Sequence, residues 1–121
     1  MRNNAEEYAL TRELYQATIW FIRDYPRRLE EYRDVIQRSR DGGGGGGFIG
    51  RPTEADAIKL EAISTRYLDP VEKAMGRVPE ELQSEIWNSI IWRIPFSHDT
   101  ARCKKWKRAF VWFVAHERGD I

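Results

Sequence analysis

A chain of 121 residues with 41% hydrophobic, 12% aromatic and 32% charged residues is one small folded domain, or one with an appended helical arm, and not a disordered segment. Its single cysteine, Cys103, excludes a disulfide framework and a thiolate zinc cage. The net charge of +1 hides an uneven distribution: residues 51–92 carry −3 and residues 93–121 carry +4, which points to an anionic partner for the last segment alone.

The first residues, "MRNNAEEYAL", lack the apolar centre of a signal peptide, and no apolar run approaches membrane-spanning length. The expectation is a soluble, cytoplasmic chain. Residues 5–40 read as helix, because Leu14, Thr18, Phe21, Tyr25, Leu29, Tyr32 and Ile36 recur at steps of three and four. Pro26 removes one backbone donor, so the segment is two helices meeting at Tyr25–Pro26, or one helix kinked there. Phe21, Tyr25, Leu29, Tyr32 and Ile36 form a stripe long enough to pair with a second copy of the chain. A homo-oligomer built on this arm, residues 1–41, is the expectation; cover by residues 53–92 of the same chain is the alternative.

Six consecutive glycines follow in "DGGGGGGFIGRP", read as a linker over residues 42–52. A phosphate-binding loop would end in Gly-Lys-Ser/Thr at a helix start, and this stretch does not. The remaining residues, 53–121, read as a helical domain. Thr53 offers an N-cap with Asp56 three residues on, a weaker form of the capping box. Leu60, Ile63, Tyr67, Val71, Ala74 and Val78 then keep helical phase through Asp69–Pro70, where the helix kinks or restarts with Asp69 as cap. Gly76 is a stop signal. Pro79 opens a helix whose first turn holds Glu80 and Glu81 near its positive end. Leu82, Ile86 and Ile90, with Trp87, Ile91 and Ile94, give it a broad apolar surface. It is expected to be the most buried helix and to end at Pro95. No segment alternates like a strand, so the fold is all-α: a helical arm plus a small bundle ending in a helix-turn-helix-like pair.

The last helix begins at Thr100 and packs Arg102, Lys104, Lys105, Lys107 and Arg108 into seven residues. On a helical wheel Cys103, Trp106, Phe110, Phe113 and Val114 fill one third of the circle, the width of a core stripe. Lys104 and Arg108 lie opposite, with Arg102, Lys105 and Lys107 on the flanks. Trp112 falls away from the stripe beside Lys105 and His116, a position suited to a subunit interface. In "WNSIIWRIPFSHDT" the order Trp87, Ile90, Ile91, Ile94, Phe96, Ser97, Thr100 matches a helix-turn-helix, with Ser97 as cap of the second helix. His98 then sits near phosphate, exposed amides hold a phosphate oxygen, and Arg102 and Lys105 face the groove. Ile91 stands where such motifs carry a small residue and Pro95 where they favour Gly. Base reading and a repacked motif used for protein contact therefore both stay open.

The order "YPRRLEEYRDVI", a Gly-rich break, "GRPTEADAIKLEAI" and "TARCKKWKRAFVWFVAHERG" resembles RinA-type transcriptional regulators of bacteriophages and prophages, over residues 20–119. The resemblance implies a C-terminal helix-turn-helix related to sigma-factor region 4 and a regulator of late or packaging genes. Its partners would be double-stranded DNA and RNA polymerase, with Ser97, Thr100 and the following cations in the recognition segment. Two alternatives remain: a small terminase-like packaging subunit, and a non-enzymatic helical interaction module.

No catalytic constellation emerges. His98 and His116 lie eighteen residues apart without a ligand cluster between them, so no metal or other cofactor is expected. Glu30–Glu31 and Glu80–Glu81 are neighbours that point to different sides of a helix. Cys103 lies on the apolar stripe and reads as an inert core thiol.

Overall fold

The computed structural model describes residues 7–41 and 53–121, and every regular element among them is helical. The all-α class follows; the expected glycine linker, residues 42–52, lies outside the described residues. Helices α1 (Arg12–Arg23) and α2 (Tyr25–Asp41) come first, then α3 (Glu54–Ile63), a π-helical turn (Ser64–Leu68) and α4 (Asp69–Met75). The chain ends with α5 (Glu80–Ile91) and α6 (Thr100–Glu117). Contacts group these into two compact units, divided at Arg23–Asp24 and Asp69–Pro70 rather than at the glycine run.

Among the described residues Glu7 is helical, the helix expected over 5–40 breaks at residues 8–11, and it resumes at Arg12 as α1. Thr11 decides this, because its Oγ1 accepts the Leu14 amide at 3.1 Å and satisfies an N-terminal donor of α1. The proline junction falls one residue before Tyr25–Pro26, at Asp24. Tyr25 and Pro26 are thereby the first residues of α2, where the missing proline N–H has no intrahelical partner to lose.

In the unit formed by residues up to Arg23 and Pro70–Ile121, α1 and α5 both pack on α6, and α1 also packs on α5. Thr18, Ile19 and Ile22 are buried from α1, so the core face is rotated toward Ile19 and Ile22 from the predicted Leu14–Thr18–Phe21 line. The Thr18 hydroxyl donates to Leu14 O at 2.7 Å, which satisfies it inside the core. The most buried helix is α6, not α5. Cys103, Ala109, Phe110, Val111, Phe113, Val114 and Ala115 are buried on α6, against Leu82, Ile86 and Ile90 on α5. The reason is enclosure: α6 meets helices on two sides, so its C-terminal half has apolar residues nearly all round. Trp106 stays half-exposed at the edge of the stripe.

In the second unit, Asp24–Asp69, α2 packs on α3 and on the π-helical turn. Its core is thin: Val35, Ile63 and Leu68 are buried, while Tyr25, Leu29, Tyr32 and Ile36 are half-buried. Thr53 caps α3 as expected, its hydroxyl accepting the Asp56 amide at 3.1 Å. The Asp56 carboxylate does not complete a capping box; it accepts from Ser39 Oγ at 3.2 Å. Helical backbone runs through Asp69 (φ −56°, ψ −45°), so Asp69 is not a cap. Instead the wide turn at 64–68, closed by the Asp69 amide on Ser64 O, precedes Pro70 and accommodates a residue that cannot donate.

Candidate nucleic-acid interface

Helix α5 ends at Ile91, four residues before Pro95, the predicted stop. Arg93 adopts the left-handed conformation (φ 56°), which turns the chain back so that the Ile94 amide reaches Asn88 O at 3.2 Å, sharing it with Trp92. Ile94, expected on the apolar surface of α5, is consequently half exposed at 50%. Residues 92–99 connect α5 to α6, a longer path than the roughly three or four residues of a helix-turn-helix turn.

This connection is tied to α5 by a carboxylate. Ser97 does not cap α6: its hydroxyl and its amide both donate to Glu85, the amide at 3.3 Å. These bonds hold the Glu85 carboxyl below its usual range. His98 Nδ1 lies 3.3 Å from the same carboxylate. The N-cap position of α6 belongs to Asp99, in a left-handed conformation (φ 48°) without a side-chain cap bond. Arg102 reaches back to Glu81 at 2.9 Å and lies 3.8 Å from Asp99. The backbone amide of Glu81 itself and then Arg102 keep the Glu81 carboxyl low. Three carboxylates thus attend the helix end that was expected to receive a phosphate, and Ser97, His98 and Arg102 face them. Thr100 is exposed and opens α6 as expected.

The cations further along α6 have different surroundings. Lys104, Lys105 and Arg108 are exposed, and none pairs with a carboxylate among the described residues. Lys107 turns toward α5, is half-buried, and donates to Ser89 Oγ at 3.0 Å, with its amine 5.9 Å from the centre of Phe96. Arg23, at the end of α1, donates to Ile90 O at 2.9 Å. Two cations from different helices therefore sit on consecutive residues at the C-terminal end of α5, and Arg93 follows three residues later. Burial and then Arg93 push the Arg23 guanidinium below its usual value; burial and then Arg23 do the same to Lys107. Tyr15 is raised by burial, which Arg108 and Arg23 oppose, so this phenol lies within the field of both. Like charges gather here from α1, the end of α5 and α6.

The structure brings Lys107 and Arg108 to this surface, leaves Lys104 and Lys105 exposed on the same helix, and keeps Ser97, His98 and Arg102 at the acidic end. Arg23 and Arg93 belong to it without any sequence signal: the Arg23–Ile90 bond spans 67 residues of chain. The residues named for oligomerisation divide. Phe21 lies under the Arg118 guanidinium at 4.0 Å within the first unit, whereas Tyr25, Leu29, Tyr32 and Ile36 belong to the second. Trp112 packs edge-on against Tyr8 at 5.6 Å and stacks on His116 at 5.1 Å. Cys103 is buried near His98 O, and burial raises its thiol. Among the described residues, no group of acidic, histidine or cysteine side chains is placed to hold a metal ion, and no helix is long and apolar enough to cross a membrane. Neither a family model, nor a curated protein, nor a solved structure matches the chain.

Proposed function

We propose that this chain acts by binding double-stranded DNA, as a transcriptional regulator of the phage and prophage kind that its sequence resembles. One observation carries the reading: cations from α1, α5 and α6 share a surface without a neutralising carboxylate, two of them partly desolvated. Mutual repulsion of this kind weakens the fold and is relieved when phosphates arrive. The interface is the middle of α6 with the ends of α1 and α5, not the N-terminal tip of α6. Phosphate contacts of this type fix position on a duplex and supply most of the affinity.

The proposal includes a homo-oligomer in the cytoplasm, with RNA polymerase as a further partner. The surface that favours self-association is the half-buried line Leu29, Tyr32 and Ile36 on α2. Two clusters of substitutions test the DNA surface. Replacing Lys104, Lys105 and Arg108 by Ala is expected to weaken duplex binding by more than about tenfold at moderate salt. Replacing Ser97 and His98 by Ala is expected to change it by less than about twofold, since these residues serve Glu85. The opposite ranking would return the interface to the helix tip.

A further inference from the structure

Two of the largest exposed apolar side chains flank the arginines of this surface. Trp20 on α1 is 59% exposed, with the Arg23 guanidinium 5.2 Å from its ring centre. Trp92 is 67% exposed and immediately precedes Arg93, whose left-handed backbone ends α5. Arg23 in turn binds the carbonyl of Ile90, two residues before Trp92. Neither indole contributes to the core, unlike Phe110 or Phe113. An exposed indole beside a guanidinium that no carboxylate neutralises is the chemistry that holds a nucleotide: the cation for the phosphate, the indole for the base.

A second copy of the chain is a poor occupant. A self-complementary contact would set Arg23 and Arg93 against their own counterparts, with like charges opposed. A blunt duplex can meet the arginines but leaves the indoles unused, because its base faces are stacked inside and only phosphates and groove edges are offered. We infer that the corner formed by Trp20, Arg23, Trp92 and Arg93 binds an unpaired nucleotide, so that the protein prefers a duplex carrying a single-stranded extension over a blunt one. This inference rests on the nucleic-acid reading of the same face and extends its substrate class.

The test compares three probes: a blunt duplex, the same duplex with a single-stranded tail, and a single strand of equal length. Fluorescence anisotropy of labelled probes gives affinity, and tryptophan emission reports stacking. Wild-type protein is expected to bind the tailed duplex roughly tenfold more tightly than the blunt one, with quenched emission. Trp20→Ala with Trp92→Ala should erase that preference while keeping blunt-duplex affinity, and Trp20→Phe with Trp92→Phe should retain most of it. Equal affinity for blunt and tailed duplex overturns this inference and leaves the interface standing. Failure to bind any probe overturns both. Concentration-dependent dimers abolished by the Ala pair, without a tail preference, assign the corner to a second copy and also overturn it.

Discussion

Arg93 is held in a conformation that costs an L-residue with a long side chain free energy, and replacing it separates backbone strain from charge. Left-handed backbone disfavours a non-glycine residue by roughly 1–2 kcal/mol, and glycine forfeits about 0.5–1 kcal/mol of that through its freer unfolded chain. Arg93→Gly should therefore be more stable than Arg93→Ala by about 0.5–1 kcal/mol, since both lose the repulsion with Arg23 and only one relieves the strain. For 121 residues the unfolding entropy is about 0.25 kcal/mol/K, so the gap corresponds to roughly 2–4 °C in Tm. Differential scanning calorimetry on both variants measures it. Both should also lose duplex affinity equally, because the proposed interface uses the Arg93 side chain, not the turn, to meet phosphate. Equal stability of the two variants would refute the strain argument. Weaker DNA binding by Arg93→Gly than by Arg93→Ala would show that the turn itself is part of the interface.

Phe110 is fully buried on α6, so Phe110→Ala should cost about 3–5 kcal/mol in urea unfolding; a smaller loss coupled to lost DNA affinity would make it a contact residue. Thr53→Ala removes the cap of α3 and should cost about 1 kcal/mol, read by the same method, with duplex affinity unchanged. Lys107 has its amine held below the ordinary value of 10.5 by burial and then by Arg23. Between that depressed value and 10.5 the unfolded chain binds more protons, so this group makes stability rise with pH through that window. Cys103 and Tyr15, both raised, act in the opposite direction, so the quantity to measure is the difference between wild type and Lys107→Met. That difference should shift in favour of wild type as pH rises toward 10.5; a flat difference would remove the coupling.

Local signals predicted the elements whose causes are local. Thr53 before an apolar-phased run, Pro79 before Glu80 and Glu81, and Gly76 after Met75 mark helix ends because each acts through backbone within one turn. The stripe of Cys103, Phe110, Phe113 and Val114 was legible for the same reason. Ser97 misled because its chemistry suits a cap, while the nearer competitor is Glu85, twelve residues earlier in the chain. Pro95 looked like the stop of α5, yet Arg93 turns the chain first, and no local rule places an arginine in a left-handed turn. Pro70 kept the helical phase only because a π-helical turn precedes it. Most of the candidate interface was half legible: the basic run of α6 was plain, but its division into paired Arg102 and unpaired Lys104, Lys105 and Arg108 depends on where α5 puts its glutamates. Arg23 joins through a contact that no short stretch encodes.

Binding to a duplex across a range of salt concentrations tests the central claim most directly. Each phosphate neutralised contributes about 0.9 to the fall of log K with log salt, so the combined change of Lys104, Lys105 and Arg108 to Ala should reduce the slope by roughly 2 to 3. A wild-type slope near zero, or one that the triple variant leaves unchanged, would contradict the account.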